Sequence, residues 1–245
     1  MQTGIQVSSF KPVLTNEAQV QTAFARMKAM DCRWVQLQWI DPSIPIEYTA
    51  QCLTKMGIKS VGVQDFYEVI RQNRPYYMEL NEKTGGTWMC VSRIPERLKS
   101  REGLQEFVDE LRQFQSELTQ AGQKLCFHPV SADFAPIGGI NPVEFLLDAM
   151  PELKICADLY HISRCYADVP GWLYRYVGRV CMVHFKDEKD GKLVPPGQGA
   201  VNWTGVIPAC IETKIPYAFV EQETWDRDPF VCLEEGLQWL NGQIK

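Results

Sequence analysis

Histidine is scarce in this chain, three in 245 residues, and the nine cysteines include no C-x-x-C pair. An odd number of widely scattered cysteines excludes a zinc ribbon and a disulfide framework. Several lie inside apolar runs, where a thiol packs as a small hydrophobe, so a reduced, cytoplasmic protein is expected. No run of about 18 apolar residues is present, and no membrane span is expected. The opening MQTGIQVSSF lacks a basic region followed by a long apolar core, so no secretory leader is expected either. Positive charge is not in excess. The 25 Lys and Arg residues stand against 30 Asp and Glu, a net charge of −5, which argues against nucleic acid as a partner. No stretch rich in Pro, Gly or Ser divides the chain, so residues 1–245 are expected to form a single domain.

What is present is a regular alternation. The composition, 45% hydrophobic with 11% aromatic residues, is ample for a buried core. Short apolar runs at 4–7, 33–39, 59–63, 87–91, 124–130, 154–159, 179–185 and 217–222 read as eight strands. They recur about every thirty residues, the length of a strand, a crossover helix and two loops. The clearest helix is 103–121, where Leu104, Phe107, Val108, Leu111, Phe114 and Leu118 share one face and Gly122 stands at the left-handed cap position. Further helices are expected near 15–29, 46–56, 141–149, 169–177, 203–212 and 229–242. Between residues 64 and 86 a short helix is expected, followed by RQNRPYYMELNEKTGG as a polar loop over one barrel face.

Strict alternation favours a parallel sheet, and the repeat count favours a closed (β/α)8 TIM barrel over an open sheet. An open dinucleotide-binding sheet would usually carry a glycine-rich turn after strand one, and SSFKPVL is not one. In such a barrel the chemistry sits at the C-terminal strand ends, so a polar residue closing an apolar strand is the informative feature. Four late strands end this way: Cys126-Phe127-His128, Cys156-Ala157-Asp158, Met182-Val183-His184 and Phe219-Val220-Glu221. Each polar residue lies two places after an apolar one, so both point to the same side of the strand. If Cys126, Cys156, Met182 and Phe219 pack inside the barrel, the polar residues converge above them. Two imidazoles and two carboxylates so placed suit a divalent metal, with sequence unable to choose among Mn, Mg, Co and Zn. Each residue alone has a plainer explanation: a hydrogen-bonded structural His128, a helix-capping Asp158. Four on consecutive strands are harder to explain that way.

The segments FHPVSADF, ADLYH, RVCMVHFKD, PPGQGAVNW, FVEQE and DPFVCLEEGLQWL resemble the sugar phosphate isomerase/epimerase superfamily, the xylose isomerase-like TIM barrel group. The resemblance is carried from about residue 124 to the C-terminus and is positional before that. It implies one divalent ion held by His128, Asp158, His184 and Glu221, and a metal-stabilised enediolate proton transfer on a small sugar or keto-polyol. Glu221 would be the base, with His161 and Lys186 as catalytic and substrate-binding groups and Glu223 as a further substrate contact. The resemblance also allows a homodimer. Three acids frequent in relatives are replaced: His128 stands for a Glu, Gln36 follows Val35 where Val-Glu-Leu is common, and Gln198 stands within Gly-Gln-Gly. Asp133 is a rival carboxylate to His128, and Trp88, Trp203 and Trp225 would either wall the pocket or pack in the core. An inosose-type dehydratase and a non-catalytic sugar-binding barrel are the alternatives. An abasic-site nuclease would need more histidine ligands than three.

Overall fold

The computed structural model describes residues 1–11 and 14–244. Eight parallel strands close into one barrel: β1 (Gln2–Gln6), β2 (Trp34–Leu37), β3 (Lys59–Phe66), β4 (Trp88–Ser92), β5 (Lys124–His128), β6 (Lys154–Asp158), β7 (Val180–Phe185) and β10 (Tyr217–Val220). Between β7 and β10 a small antiparallel hairpin, β8 (Asp187–Lys189) with β9 (Lys192–Val194), stands apart from the barrel sheet. The barrel closes where β1 pairs with both β2 and β10, through Ile5–Val35 and Gly4–Phe219 among other partners.

Helices follow from capping and periodicity. In α5 (Arg101–Gln120) the Ser100 side chain accepts a hydrogen bond from the Gly103 amide, one apolar stripe is buried, and Gly122 takes φ +71° just beyond the end. The stripe read from sequence, Leu104 to Leu118, is that buried face. Similarly, α1 (Glu17–Ala29) starts at Asn16, which caps the Gln19 amide, and buries Val20, Ala23, Phe24 and Met27. Helices α2 (Ile46–Met56), α6 (Pro142–Ala149), α8 (Val169–Arg175), α9 (Val206–Glu212) and α10 (Pro229–Ile244) fall where expected.

The segment expected as a polar loop is instead helical. After α3 (Tyr67–Gln72), residues of that stretch form α4 (Arg74–Lys83), which packs against β3 and β4 as part of their crossover. Pro75 sits in its first turn, where proline is tolerated, and Gly85 at φ +75° follows its end. Only Leu80 and Asn81 are buried, the latter donating to Gln123 Oε1 at 2.9 Å. So short an apolar stripe leaves little periodic signal in the sequence.

Two layers fill the barrel interior. Towards the N-terminal ends Val61, Cys90, Cys126, Cys156, Cys181, Met182 and Phe219 form an apolar plug, closed off by Trp34, Trp88 and Tyr217, each the first residue of its strand. Trp88 therefore lies at the opposite end from the strand-end polar residues and walls no pocket there. Cys126, Cys156, Met182 and Phe219 do occupy the interior, as parity requires. Gly62 lies beside an irregularity in the β2–β3 register, and a Cβ added there would come 2.0 Å from the Trp88 carbonyl oxygen. Gly62→Ala is expected to destabilise by roughly 1–3 kcal/mol, the range of overpacking, read as a lowered urea midpoint. An unchanged midpoint would mean that this close strand approach is not needed.

Candidate metal centre

At the C-terminal rim the strand register brings the polar ends together: Ser92 pairs with His128, Asp158 with His184, and His184 with Phe219. The donor atoms of His128, Asp158, His184 and Glu221 all lie within 4.8 Å of one another, and all four residues are buried. His128 Nε2 is 3.2 Å from His184 Nδ1, and that same Nδ1 is 3.0 Å from Glu221 Oε2. Two ligand atoms each ~2.1 Å from one ion are separated by ~3.0–3.4 Å, so these spacings match neighbouring positions on one coordination sphere.

Local structure explains why each group points inward. Asp158 is both the last residue of β6 and the N-cap of α7 (Leu159–Ser163): its Oδ1 accepts from the His161 amide at 3.1 Å. The capping role foreseen for Asp158 uses one oxygen and leaves Oδ2 facing the site. Glu221 is pinned through Oε1 by the Ser8 hydroxyl at 2.6 Å. Ser92 Oγ lies 3.1 Å from His128 Nδ1, fixing that ring from behind. Neither serine was singled out from the sequence, since the only signal was their place just past β1 and at the end of β4.

Lys186 enters the same cluster. Its Nζ is 2.7 Å from Glu223 Oε1, 3.1 Å from Glu221 Oε2 and 3.2 Å from Asp158 Oδ2. Only the contact to Glu223 has hydrogen-bond geometry, so Asp158 Oδ2 and Glu221 Oε2 remain buried without a hydrogen-bond donor. Glu223 Oε2 and His161 Nδ1 are likewise buried and unpartnered. His161 Nε2 stands 3.8 Å from Asp158 Oδ2, so it too reaches the cluster. Three carboxylates against one ammonium leave an uncompensated negative charge in a dehydrated place, which a divalent cation would offset. The donor set, the spacing and the orphaned oxygens all fit such an ion.

The protonation pattern follows from burial and neighbours. Burial, helped by the adjacent His184, pulls His128 down to about 3. Burial pushes the Asp158 carboxyl up, but Lys186 and His161 more than reverse this and hold it at about 2. Glu221 shows the same contest, with the Lys186 ammonium foremost in keeping it well below the usual carboxylate range. Glu223 moves the other way: burial and the neighbouring Glu221 charge raise it. Burial lowers His161, although the Asp158 charge opposes the shift.

Other anticipated residues lie elsewhere. Asp133 accepts from the Ile94 and Val130 amides at 3.1 and 2.9 Å, binding loop backbone rather than joining the cluster. Gln198 donates to Glu235 Oε2 on α10 at 2.9 Å. Trp203 packs on Phe185 and Trp239 and donates to Asp187, while Trp225 donates to the Gln222 carbonyl. Asp187 also accepts from the Gly197, Gly199 and Val201 amides, which anchors the PPGQGAVNW loop beside the strand ends.

A (β/α)8 barrel with mixed imidazole and carboxylate donors crowning β5, β6, β7 and β10 defines a barrel protein with a candidate metal centre at the face where such folds carry their chemistry. Residues 77–243, more than half the chain, match the xylose isomerase-like TIM barrel family, and the chain belongs to that family. A search of curated proteins gave no match. Among solved structures, a sugar phosphate isomerase/epimerase from Parabacteroides distasonis is 15% identical with a TM-score of 0.82, covering 99% of this chain and 94% of that one. An L-ribulose 3-epimerase is 12% identical with a TM-score of 0.79, over 99% and 94% of the two chains. A probable 3-DHS dehydratase from Bacillus anthracis is 16% identical with a TM-score of 0.76, over 98% and 99%. At these identities the likeness is one of fold. No helix of the described residues is long and apolar enough to cross a membrane.

The shift at His128 has a consequence for acid stability. The folded ring stays neutral down to about 3, whereas unfolded histidine takes a proton near 6.5, so between these values the unfolded chain binds more protons. The stability tied to His128 is therefore present above about pH 6.5 and lost progressively as pH falls towards 3, while Asp158 adds its loss only below about 3.8. Urea unfolding near pH 7.5 and near pH 5 should show wild type losing stability on acidification and His128→Gln losing distinctly less. Equal losses would contradict a buried, neutral His128.

Proposed function

We propose that the chain is a divalent-metal-dependent isomerase or epimerase of a small sugar or keto-polyol. The observation that carries this reading is the convergence of four strand-end donor atoms, from His128, Asp158, His184 and Glu221, within 4.8 Å. A divalent ion held there would supply Lewis acidity, making a C–H next to a substrate carbonyl easier to deprotonate. Two imidazoles instead of one shift the donor set towards Zn, Co or Fe and away from Mg.

The chain's own groups divide the remaining work. Lys186 Nζ, set between Asp158, Glu221 and Glu223, is placed to hold a substrate oxygen that gains negative charge. Proton movement falls to Glu221 Oε2 and Glu223 Oε2, two of the three buried carboxylate oxygens without hydrogen-bond donors, the third being Asp158 Oδ2. Ser8, on Glu221 Oε1, keeps that carboxylate aimed. His161 Nδ1, buried and unpartnered, is free to bind a substrate hydroxyl.

That free imidazole also favours a second reading, a dehydratase, because expelling a β-hydroxyl needs a proton donor beside it. The fold likeness to a probable 3-DHS dehydratase is compatible with this chemistry. Both reactions begin with loss of a C–H proton, so solvent deuterium incorporation into ketohexoses and keto-inositol, followed by NMR, tests the shared step. A recovered keto sugar of altered configuration supports the epimerase, an enone ultraviolet band the dehydratase. Asp158→Ala and His184→Ala are each expected to abolish Mn or Co binding in calorimetric titration while the far-ultraviolet circular dichroism stays that of a barrel. Full metal binding or activity in either variant would defeat the proposal.

A further inference from the structure

Gln6, Gln36 and Gln64 from the first three strands, with Gln38 just past β2, form a single line beside the strand-end cluster. Gln6 Nε2 donates to Gln36 Oε1 at 3.0 Å, Gln36 Nε2 to Gln64 Oε1 at 3.1 Å, and Gln64 Nε2 to Gln38 Oε1 at 3.1 Å. All four are buried, with Gln38 and Gln64 also lining a cavity beside β2 and β3. The direction of the line is not free. Gln6 Oε1 accepts from the Ser8 backbone N–H at 3.4 Å, a group that can only donate, and this turns the Gln6 amide nitrogen towards Gln36. Gln64 Oε1 also accepts from the Cys90 thiol at 3.1 Å, a contact consistent with the same sense. Reversing any one amide would set oxygen against oxygen or NH₂ against NH₂ in a dehydrated interior, so the line keeps one polarity throughout.

The line meets the candidate metal centre at one point: Gln36 Oε1 is 2.6 Å from His184 Nε2. An amide oxygen cannot donate, so this nitrogen must carry a hydrogen. The Cys156 sulfur, 3.2 Å from the same nitrogen, is then a second, weaker acceptor of that N–H. A ring protonated at Nε2 alone presents a bare lone pair at Nδ1, which faces His128 Nε2 at 3.2 Å; Glu221 Oε2, 3.0 Å away, lies outside hydrogen-bond geometry and draws no hydrogen onto that nitrogen.

We propose that Gln36 is a positioning residue: through the one-way glutamine line it locks His184 in the Nε2–H form and so makes Nδ1 the donor atom offered to the site. Its role in metal affinity rests on the function proposed above, but the tautomer does not. The test uses uniformly ¹⁵N-labelled, chelator-treated protein at mildly alkaline pH and long-range ¹H–¹⁵N correlation; with only three histidines, six ring nitrogens are observed. Wild-type His184 should show a protonated Nε2 and a bare Nδ1. Gln36→Met removes the acceptor and should give a mixed or reversed tautomer, with affinity for added ZnCl₂ weaker by roughly 10–100-fold. Gln36→Glu keeps an acceptor oxygen at this place and should restore the Nε2–H form. Should Gln36→Met fail to fold, Gln6→Met, which removes the residue that sets the polarity without touching His184, should loosen the tautomer instead. A bare Nε2 in wild type, or an unchanged tautomer in the folded Gln36→Met and Gln6→Met proteins, overturns the inference. A locked tautomer in a wild type that binds no zinc, manganese or cobalt would leave the positioning intact and defeat the metal reading. Equal zinc affinity with and without the lock would overturn the link between the two.

Discussion

The structure turns on the confinement of charge at one end of a dehydrated barrel. Asp158, Glu221 and Lys186 are almost wholly buried, and Glu223 adds a third carboxylate. Removing such groups from water is unfavourable by several kcal/mol per ion unless each finds a partner, so the arrangement persists only where opposite charges sit at contact distance. Lys186 supplies one positive charge and leaves three buried carboxylate oxygens, on Asp158, Glu221 and Glu223, without hydrogen bonds. Everything around it answers that deficit: the Ser8 hydroxyl on Glu221, the α7 amide on Asp158, and two imidazoles whose nitrogens point at the same small volume. The apolar plug beneath keeps water from entering on the other side. A cluster held this tightly is poorly suited to stability alone, since an apolar replacement of equal volume would often do as well or better.

Much of this was readable in the sequence because strand parity is a rigid rule. Placing Cys126 inside the barrel places His128 above it, and the same two-residue step locates Asp158, His184 and Glu221. Lys186 and Glu223 follow by a further step, beyond the barrel strands but still in reach. The eight strands and most crossover helices were legible for a related reason, since each must turn one apolar stripe to the shared core. Where the stripe is thin, as in α4 with little more than Leu80 and Asn81 buried, composition alone resembles a loop.

What parity could not give was the second ring of contacts. Ser8 reaches Glu221 across 213 positions of sequence, and Ser92 reaches His128 across a β4–β5 pairing. These depend on barrel closure and register, not on any local pattern. The tryptophans illustrate the same limit. Trp88 belongs to the far end of the barrel because it opens its strand, and Trp203 is drawn to Asp187 and the Trp239 ring. An aromatic residue reads alike in sequence whether it lines a ligand site or fills a core.

The neutral residues at positions 36 and 198 look equivalent in sequence, as acids common in relatives and missing here, yet their surroundings give them different meanings. Gln198 lies outside, against Glu235, where a carboxylate would meet a like charge. Gln36 lies inside, with an oxygen towards His184 and a nitrogen towards Gln64. A glutamate at 36 would keep the first contact but set a second oxygen against Gln64 Oε1, and it would add negative charge to an interior already crowded with it. The amide avoids both costs. It accepts where an imidazole must donate and donates where the neighbouring amide must accept. The loss of an acid at this position is thus compatible with a working site, because the element that orients His184 needs an acceptor atom and not a charge.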